Sequence, residues 1–284
     1  HFCAGDVFTA IADMQNLLGV EEEVKSMISN YIEVEIQRLQ KLKKIAEEYS
    51  ERNAEALKVG PEFVMNPINA FKLVKRLTHD WELVETAMTK NSAERFLKNI
   101  TTTRMLKKSK YPQQEDLTGA AIGLVRLQDT YKLDTQELAS GIIRGKKVGK
   151  ELTSQDCFEI GRAAYDNGDY YHTILWMQEA QRRHNMEQSP FAELEDIVEY
   201  LAFALFKQKN VKRALALTEQ LLEINPNHPR AKGNIKWYQD MLTAEEKSSE
   251  TIPPLKLHRP DDLPERAAYE ALCRGEQMAP IDHT

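Results

Sequence analysis

From Phe8 to Tyr49 the apolar residues recur at helical spacing, and Ile28, Ile32, Leu39, Leu42, Ala46 and Tyr49 follow alternating steps of three and four, with Glu35 as the exception. That is a heptad seam. It reads either as the inner face of a long amphipathic helix packing on its own domain or as a self-association surface, since about three heptads just suffice for a coiled coil. Asn66-Pro67 predicts a helix start, with Asn as cap and Pro at the first helical position. The stripe Phe71, Val74, Leu77, Trp81, Val84 and Met88 then predicts one long helix that folds back on the first. Thr101 to Gln114 is polar and basic with a Tyr-Pro step and reads as a loop. Helical periodicity returns over Leu117 to Leu127 and Leu133 to Leu138. The run Gly141 to Gly149, with its three glycines, is the candidate domain boundary.

A different pattern begins at Thr153, where Thr153 and Asp156 form a capping box. Cys157, Gly161, Tyr165, Gly168, Tyr170 and Ala180 fit one helix-turn-helix repeat; Val198, Leu201-Ala202, Ala214 and Leu221-Leu222, closed by Asn225-Pro226, fit a second. This is tetratricopeptide-like spacing. Equivalent positions Gly161 and Ala202 lie 41 residues apart. The standard repeat is about 34, so roughly seven residues around Met186 to Ala192 read as an insertion. A third helix from Pro229 past Tyr238 caps the pair. Stacked helix pairs make a concave surface suited to extended peptides. Beyond Thr243 come a polar run, Ile252-Pro-Pro, and His258 to Pro264, a linker with a short helical segment from Glu265 to Leu272 that has nothing evident to pack on.

Composition narrows the chemistry. The chain is 42% hydrophobic and 29% charged over 284 residues, which suits two modest helical domains. No Gly-rich phosphate loop and no apolar run of spanning length occur. A net charge of −6 offers no footprint for nucleic acid. Cys3, Cys157 and Cys273 are too far apart for a zinc site; Cys157 falls on a buried face as a packed thiol, and Cys273 is left as a candidate for pairing. Asn99-Ile-Thr101 is a glycosylation sequon, and a chain beginning at His1 is consistent with secretory processing or trimming. The seven histidines include no His-x-Asp or His-x-Glu, and no hydrolase elbow or His-Glu-x-x-His is present. No catalytic or metal-ligating residue is therefore assigned.

Counting groove positions on the first helices places Phe158, Arg162 and Tyr165 on the first unit, Glu199, Phe203 and Phe206 on the second, and Arg230, Asn234, Trp237 and Asp240 on the cap. Flat rings beside a few donors are what a polyproline II peptide needs, because its carbonyls are free and its pyrrolidine rings are apolar. Asn234 can donate to and accept from one peptide unit, and Arg230 can donate to carbonyls. The other reading makes Phe203, Phe206 and Trp237 interhelical core. Tyr170, Tyr171 and Trp176 on the next helix are assigned to the core.

The segments Asn66 to Leu77, Arg126 to Thr135, Asp169 to Met177, Asn225 to Asn234 and Leu263 to Glu276 resemble the α subunit of collagen prolyl 4-hydroxylase, in that family's order. The resemblance implies a subunit of the endoplasmic-reticulum lumen with a dimerising N-terminal domain and a middle domain that binds proline-rich procollagen. A C-terminal domain, not within this chain, would hydroxylate proline with Fe(II), 2-oxoglutarate, ascorbate and O₂, and protein disulfide isomerase would be the partner subunit. The family's peptide-binding residues fall on Tyr165, Glu199, Phe203, Phe206, Arg230, Asn234 and Trp237. Tyr165, Arg230 and Asn234 keep the family pattern; Glu199 replaces Asp, and Phe203, Phe206, Trp237 and Asp240 replace tyrosines.

The expected fold is all-α: a helical, coiled-coil dimerisation domain over residues 1–150, a tetratricopeptide-like peptide-binding domain over 151–245, and 246–284 as a linker toward an absent catalytic domain. The chain by itself is expected to be inactive and to need no cofactor. Two alternatives remain, a non-enzymatic tetratricopeptide adaptor for another protein and a purely structural helical scaffold.

Overall fold

The structure is a computed structural model that describes residues 10–106, 111–243, 251–259 and 264–276. Cys3 and the polar run 245–250 lie outside the described residues. Regular structure among the described residues is helical apart from one small hairpin, so the chain is all-α. It forms two compact units, His1–Pro112 and Gln113–Thr284.

In the first unit, α1 (Ile11–Val59) ends at Gly60, whose φ of 78° breaks the helix. Pro61 opens α2 (Pro61–Met65), and Asn66 caps α3 (Pro67–Leu77) by accepting from the Ile68 N–H at 2.9 Å. The single helix expected from Asn66 onward is in fact two, because the chain breaks at Thr78 before α4 (His79–Thr89). The Thr78 hydroxyl donates back to the Val74 carbonyl at 2.8 Å, a local bond that competes with helix continuation. Asp80 then sits in the first turn of α4, where a negative charge favours a new helix start. The loop expected from Thr101 is helical at its start: α5 (Ser92–Leu106) runs through the sequon and leaves Asn99 exposed. There Phe96 and Ile100, one turn apart, are half-buried and give the segment an inner face.

The fold-back expected of the second stripe is present, but it uses a different face of α1. Tyr31, Glu35, Arg38, Leu42, Ile45 and Tyr49 form one half-buried row. Arg38 donates to the Ala87 carbonyl at 3.0 Å, the Tyr49 hydroxyl donates to the Arg76 carbonyl at 3.0 Å, and Tyr31 meets Phe96 edge to face at 5.5 Å. Glu35, the irregular member of the seam, pairs with Arg38 at 2.6 Å, and hydrogen bonds from Arg38 and Ser92 hold its carboxyl below the usual value. Ile28, Ile32 and Leu39 face outward, 51%, 49% and 55% exposed. The expected seam is thus shared between an inner row and an outer one.

The second unit starts with α6 (Gln114–Tyr131) and α7 (Thr135–Ala139). The Gly141 to Gly149 run is not a break between compact units. It is an antiparallel hairpin, β1 (Ile142–Ile143) with β2 (Lys146–Lys147), pairing Ile142 with Lys147 and Ile143 with Lys146. Gly141 has φ 71°, and a Cβ there would lie 2.4 Å from the Gly149 carbonyl oxygen, so only glycine closes this turn. The buried Arg183 ties the flanks down, donating to the Leu152 carbonyl at 2.6 Å and to the Ser140 hydroxyl at 3.2 Å. The compact units divide at Pro112 and Gln113 instead, because α6 packs on the repeat helices.

The repeat itself follows the expected order: α8 (Ser154–Asp166) with α9 (Tyr170–His184), α10 (Leu194–Lys207) with α11 (Val211–Ile224), and α12 (Ala231–Met241) as cap. The Thr153 and Asp156 capping box is formed, and the chain between α9 and α10 exposes Met186 and Phe191. One core runs from Val125 and Leu138 through Cys157, Trp176, Met177 and Ile197 to Tyr238. The Trp176 indole, fully buried, donates to Gln128 Oε1 at 2.9 Å, and Gln128 donates to Thr135 at 2.8 Å, joining α6, α7 and α9. Cys157 is fully buried, and burial pushes its thiol up to about 12, the mark of a packed, inert thiol.

The C-terminal segment, expected to have nothing to pack on, docks on this unit. Residues 251–259 run extended: the Asn210 side chain exchanges two hydrogen bonds with the Lys256 backbone, and Gln208 does the same with His258. Then α13 (Pro264–Cys273) lies on α6. The buried Asp129 is the anchor, receiving Arg266 at 2.9 Å, Arg259 at 3.2 Å and His172 Nε2 at 3.0 Å. Burial would raise the Asp129 carboxyl, but His172, Arg259 and Arg266 outweigh it and hold it below its ordinary value. Burial likewise opposes charge on His172, yet hydrogen bonds to Asp129 and Asp169 raise its value overall. Arg274 closes the contact by donating to the Thr130 carbonyl at 2.8 Å.

Candidate functional site

Because each repeat places its first helix on the same side, α8, α10 and α12 present one surface. Gly168, with φ 75°, and Lys209, with φ 62°, turn the chain between the helices of each pair, and Asp169 caps α9 through the His172 N–H at 3.1 Å. On that surface the rings follow one another without a gap. Tyr200 lies 4.8 Å from Tyr165, Tyr165 is 5.7 Å from Phe203, Phe203 is 6.2 Å from Phe206, and Phe206 is 4.5 Å from Trp237. Tyr165, Tyr200, Phe203 and Phe206 are half-buried, while Trp237 is 47% exposed. Such rings have one face in the protein and one toward solvent, which rules out a wholly interior role. The Lys207 ammonium sits 5.4 Å above Phe203 and 5.7 Å above Tyr170.

A polar edge runs beside the rings. Arg230, at the start of α12, grips Glu199 on α10 with its Nε at 2.6 Å and Nη2 at 2.7 Å, a bidentate pair that leaves Nη1 for another acceptor. The buried His228 supports it. Its Nδ1 accepts from the Ala231 N–H at 3.2 Å and the Arg230 N–H at 3.4 Å, so the neutral ring carries its proton on Nε2, which faces Glu199 at 3.5 Å. Asn234, one turn after Arg230, is half-buried. Burial, reinforced by neighbouring phenols and Glu199, raises the Tyr165 hydroxyl above its ordinary value, and burial followed by Asp166 raises that of Tyr200. Both therefore remain protonated donors in neutral solution.

Of the expected groove residues, the structure brings Tyr165, Glu199, Phe203, Phe206, Arg230, Asn234 and Trp237 onto α8, α10 and α12 along one surface. Phe158 does not belong to it. At 9% exposed it lies in the core, edge-on to Tyr200 at 5.6 Å. Arg162 pairs with Glu159 on its own helix, and Asp240 is exposed. Tyr170, assigned to the core, instead lies half-buried 5.7 Å from Tyr165 and 6.4 Å from Phe203. Repeat position does not find Tyr200 or His228. Tyr200 precedes Phe203 by three residues, an i,i+3 aromatic pair that a ring-spacing search finds where fixed repeat positions do not. The local signal for His228 is its place just before the cap helix.

Fold and site together define a tetratricopeptide-like helical repeat module with an aromatic row across its first helices. Residues 10–145 match the family described as Prolyl 4-Hydroxylase alpha-subunit, N-terminal region, and residues 154–244 match the Prolyl 4-hydroxylase peptide-substrate-binding domain. The chain belongs to the prolyl 4-hydroxylase α-subunit family. It is 54% identical over 279 residues to prolyl 4-hydroxylase subunit alpha-2 of Caenorhabditis elegans, covering 98% of this chain and 51% of that protein. It is 49% identical over 282 residues to subunit alpha-1 of the same organism, covering 97% and 50%. To subunit alpha-1 of Homo sapiens it is 38% identical over 279 residues, covering 95% and 52%. The chain spans about half the length of the curated relatives it matches.

Proposed function

We propose that this chain holds extended, proline-rich peptides of the procollagen type on the face formed by α8, α10 and α12, as the substrate-binding region of a prolyl 4-hydroxylase α subunit. The observation that carries the reading is the unbroken row Tyr200, Tyr165, Phe203, Phe206 and Trp237 beside the Arg230 and Glu199 pair. A polyproline II strand enters such a row at small entropic cost because it is already extended. Its rings stack on the aromatics, Asn234 sets its register, and Arg230 Nη1 donates to a carbonyl. Fewer phenolic hydroxyls on this face shift recognition toward stacking.

In this reading residues 1–150 serve self-association, 151–245 bind peptide, and 246–284 lead onward. The outward row Ile28, Ile32 and Leu39 supports the first assignment. The setting is the endoplasmic-reticulum lumen, with protein disulfide isomerase as partner subunit and exposed Asn99 as a glycan site. Hydroxylation of proline in Pro-Pro-Gly sequences with Fe(II), 2-oxoglutarate and ascorbate is assigned to the region of the relatives that this chain does not span. Among the described residues no three His, Cys, Asp or Glu side chains are placed to hold a metal ion. Calorimetric titration of the chain with a (Pro-Pro-Gly)-repeat peptide and with an acidic peptide of equal length tests the proposal. Preference for the first is expected; preference for the second favours an adaptor for another protein.

A further inference from the structure

We infer that the hydroxyl of Tyr238 is a ligand-binding donor of the aromatic groove, kept for a backbone carbonyl of an extended peptide; the inference rests on the peptide-binding reading above. Tyr238 is 0% exposed, and its hydroxyl has no hydrogen-bond partner among the described residues. Burying a hydroxyl unpaired is destabilising, and folded proteins retain few such groups without a use for them. His184 Nδ1 and Arg213 Nε are buried without a partner as well, and both lie outside the groove.

The ring of Tyr238 lies directly against two groove residues, Phe206 and Trp237. Tyr238 follows Asn234 by one turn of α12, and a helical side chain leans over the turn before its own Cα, so the phenol extends toward Asn234. Its ring stacks on Phe206, with centroids 4.7 Å apart and planes 25° from parallel. Burial pushes the phenol up to about 12, and the Tyr165 hydroxyl and Glu199 carboxylate, both on the groove, add to that effect. The phenol therefore lies beside Phe206 and Trp237, whose rings carry no hydroxyl of their own. A polyproline II backbone leaves its carbonyls free of internal hydrogen bonds, which makes it a fitting acceptor. Phe206 is half-buried, and the inference requires its ring to turn aside when the peptide binds.

Tyr238→Phe in the full 284-residue chain removes the oxygen and keeps the packing. Titration with a (Pro-Pro-Gly)-repeat peptide should show affinity reduced about three- to tenfold. Thermal melting should stay level or rise by up to about 3 °C, since an unpaired buried donor has been removed. Tyr171→Phe, beside His172 on α9, should change neither quantity. Unchanged affinity in Tyr238→Phe overturns the inference, because the hydroxyl then meets no ligand group. A lowered melting temperature overturns it as well, by giving the hydroxyl a partner in the free protein. If the wild-type chain binds no (Pro-Pro-Gly)-repeat peptide, the peptide-binding reading itself fails and this inference with it.

Discussion

In residues 1–112 one hydrophobic side chain, Val84, is buried among the described residues, whereas the unit from Gln113 onward buries Trp176, Ile174, Met177, Ile197 and Tyr238 completely. Both sequences carry clear apolar stripes, and the helices of both form. The difference lies in how many helices share each stripe. In the second unit α8 packs on α6 and α9, and α10 packs on α9 and α11, so an inner face is covered from more than one side. In the first unit α1 is 49 residues long, and the short helices α2 to α5 cover only one row of it. The second unit thus covers its inner faces fully even though Met186 and Phe191 stay exposed, while the first leaves Ile28, Ile32, Leu39, Phe71 and Leu77 outside. A stretch of exposed apolar residues of that extent is the usual mark of an interaction surface.

The comparison breaks most visibly in the core. Trp176→Ala should cost the second unit roughly 3–5 kcal/mol by urea unfolding, because it removes a buried indole and strands the Gln128 amide. Val84→Ala, in the thin core of the first unit, should cost less, and equal losses would show that the two cores are alike. Asp129→Asn comes next, at about 3 kcal/mol, since it leaves Arg259 and Arg266 without their buried counter-charge. Faster hydrogen exchange over residues 264–276 should accompany it.

The same anchor predicts a pH window. Asp129 is held below its ordinary value, so its contribution is present above the usual carboxylate range and is lost as pH falls through the lowered folded value. His172 is held above its ordinary value; its contribution is complete below the ordinary histidine range and is lost as pH rises through the raised folded value. Only the imidazolium donates to Asp129 and Asp169 at once. Docking of α13 should therefore be tightest between the two limits. An exchange profile over 264–276 that is flat with pH would show that the cluster does not control docking.

Smaller effects separate the groove from the core beneath it. Asn234→Ala should weaken peptide binding by roughly 1–3 kcal/mol without lowering the melting temperature. Loss of binding together with unfolding would return the aromatic row to a packing role. The least change in fold stability is expected from Ile32→Asp with Leu39→Asp, because both side chains are already about half exposed. Their effect should appear in sedimentation, as a shift from an associated form to a folded monomer. A wild-type chain that is monomeric at tens of micromolar, where a micromolar dimer is populated, removes the self-association proposal.

Much of this was legible in the residues. Thr153 with Asp156 marks the start of α8, Asn66-Pro67 the start of α3, and the spacing from Cys157 to Asn225 the two helix pairs. Repeat position also placed Tyr165, Phe203, Phe206 and Trp237 on neighbouring first helices, since residues a few places apart share a face, but it put Phe158 there too, which the structure buries in the core. Tyr170 escaped because it belongs to a second helix; it reaches the row only because the Gly168 turn folds α9 back beside Tyr165. The break at Thr78 escaped because an apolar stripe keeps its period across a short interruption.

By its own periodicity and caps, then, the chain determined which segments are helices, where most begin, and which of their faces are apolar, all of which depend on neighbours within a few residues. Only the tertiary structure decided which of two adjacent faces of α1 would pack inward, that the glycine run would close a hairpin inside one compact unit, and that residues 251–259 and 264–276 would return to Asn210 and Asp129. These outcomes depend on contacts between residues far apart in sequence. The Asp129 carboxylate and the Arg266 guanidinium are 137 positions apart, and no local pattern links them: an ion pair forms wherever the backbone delivers two opposite charges to one buried spot.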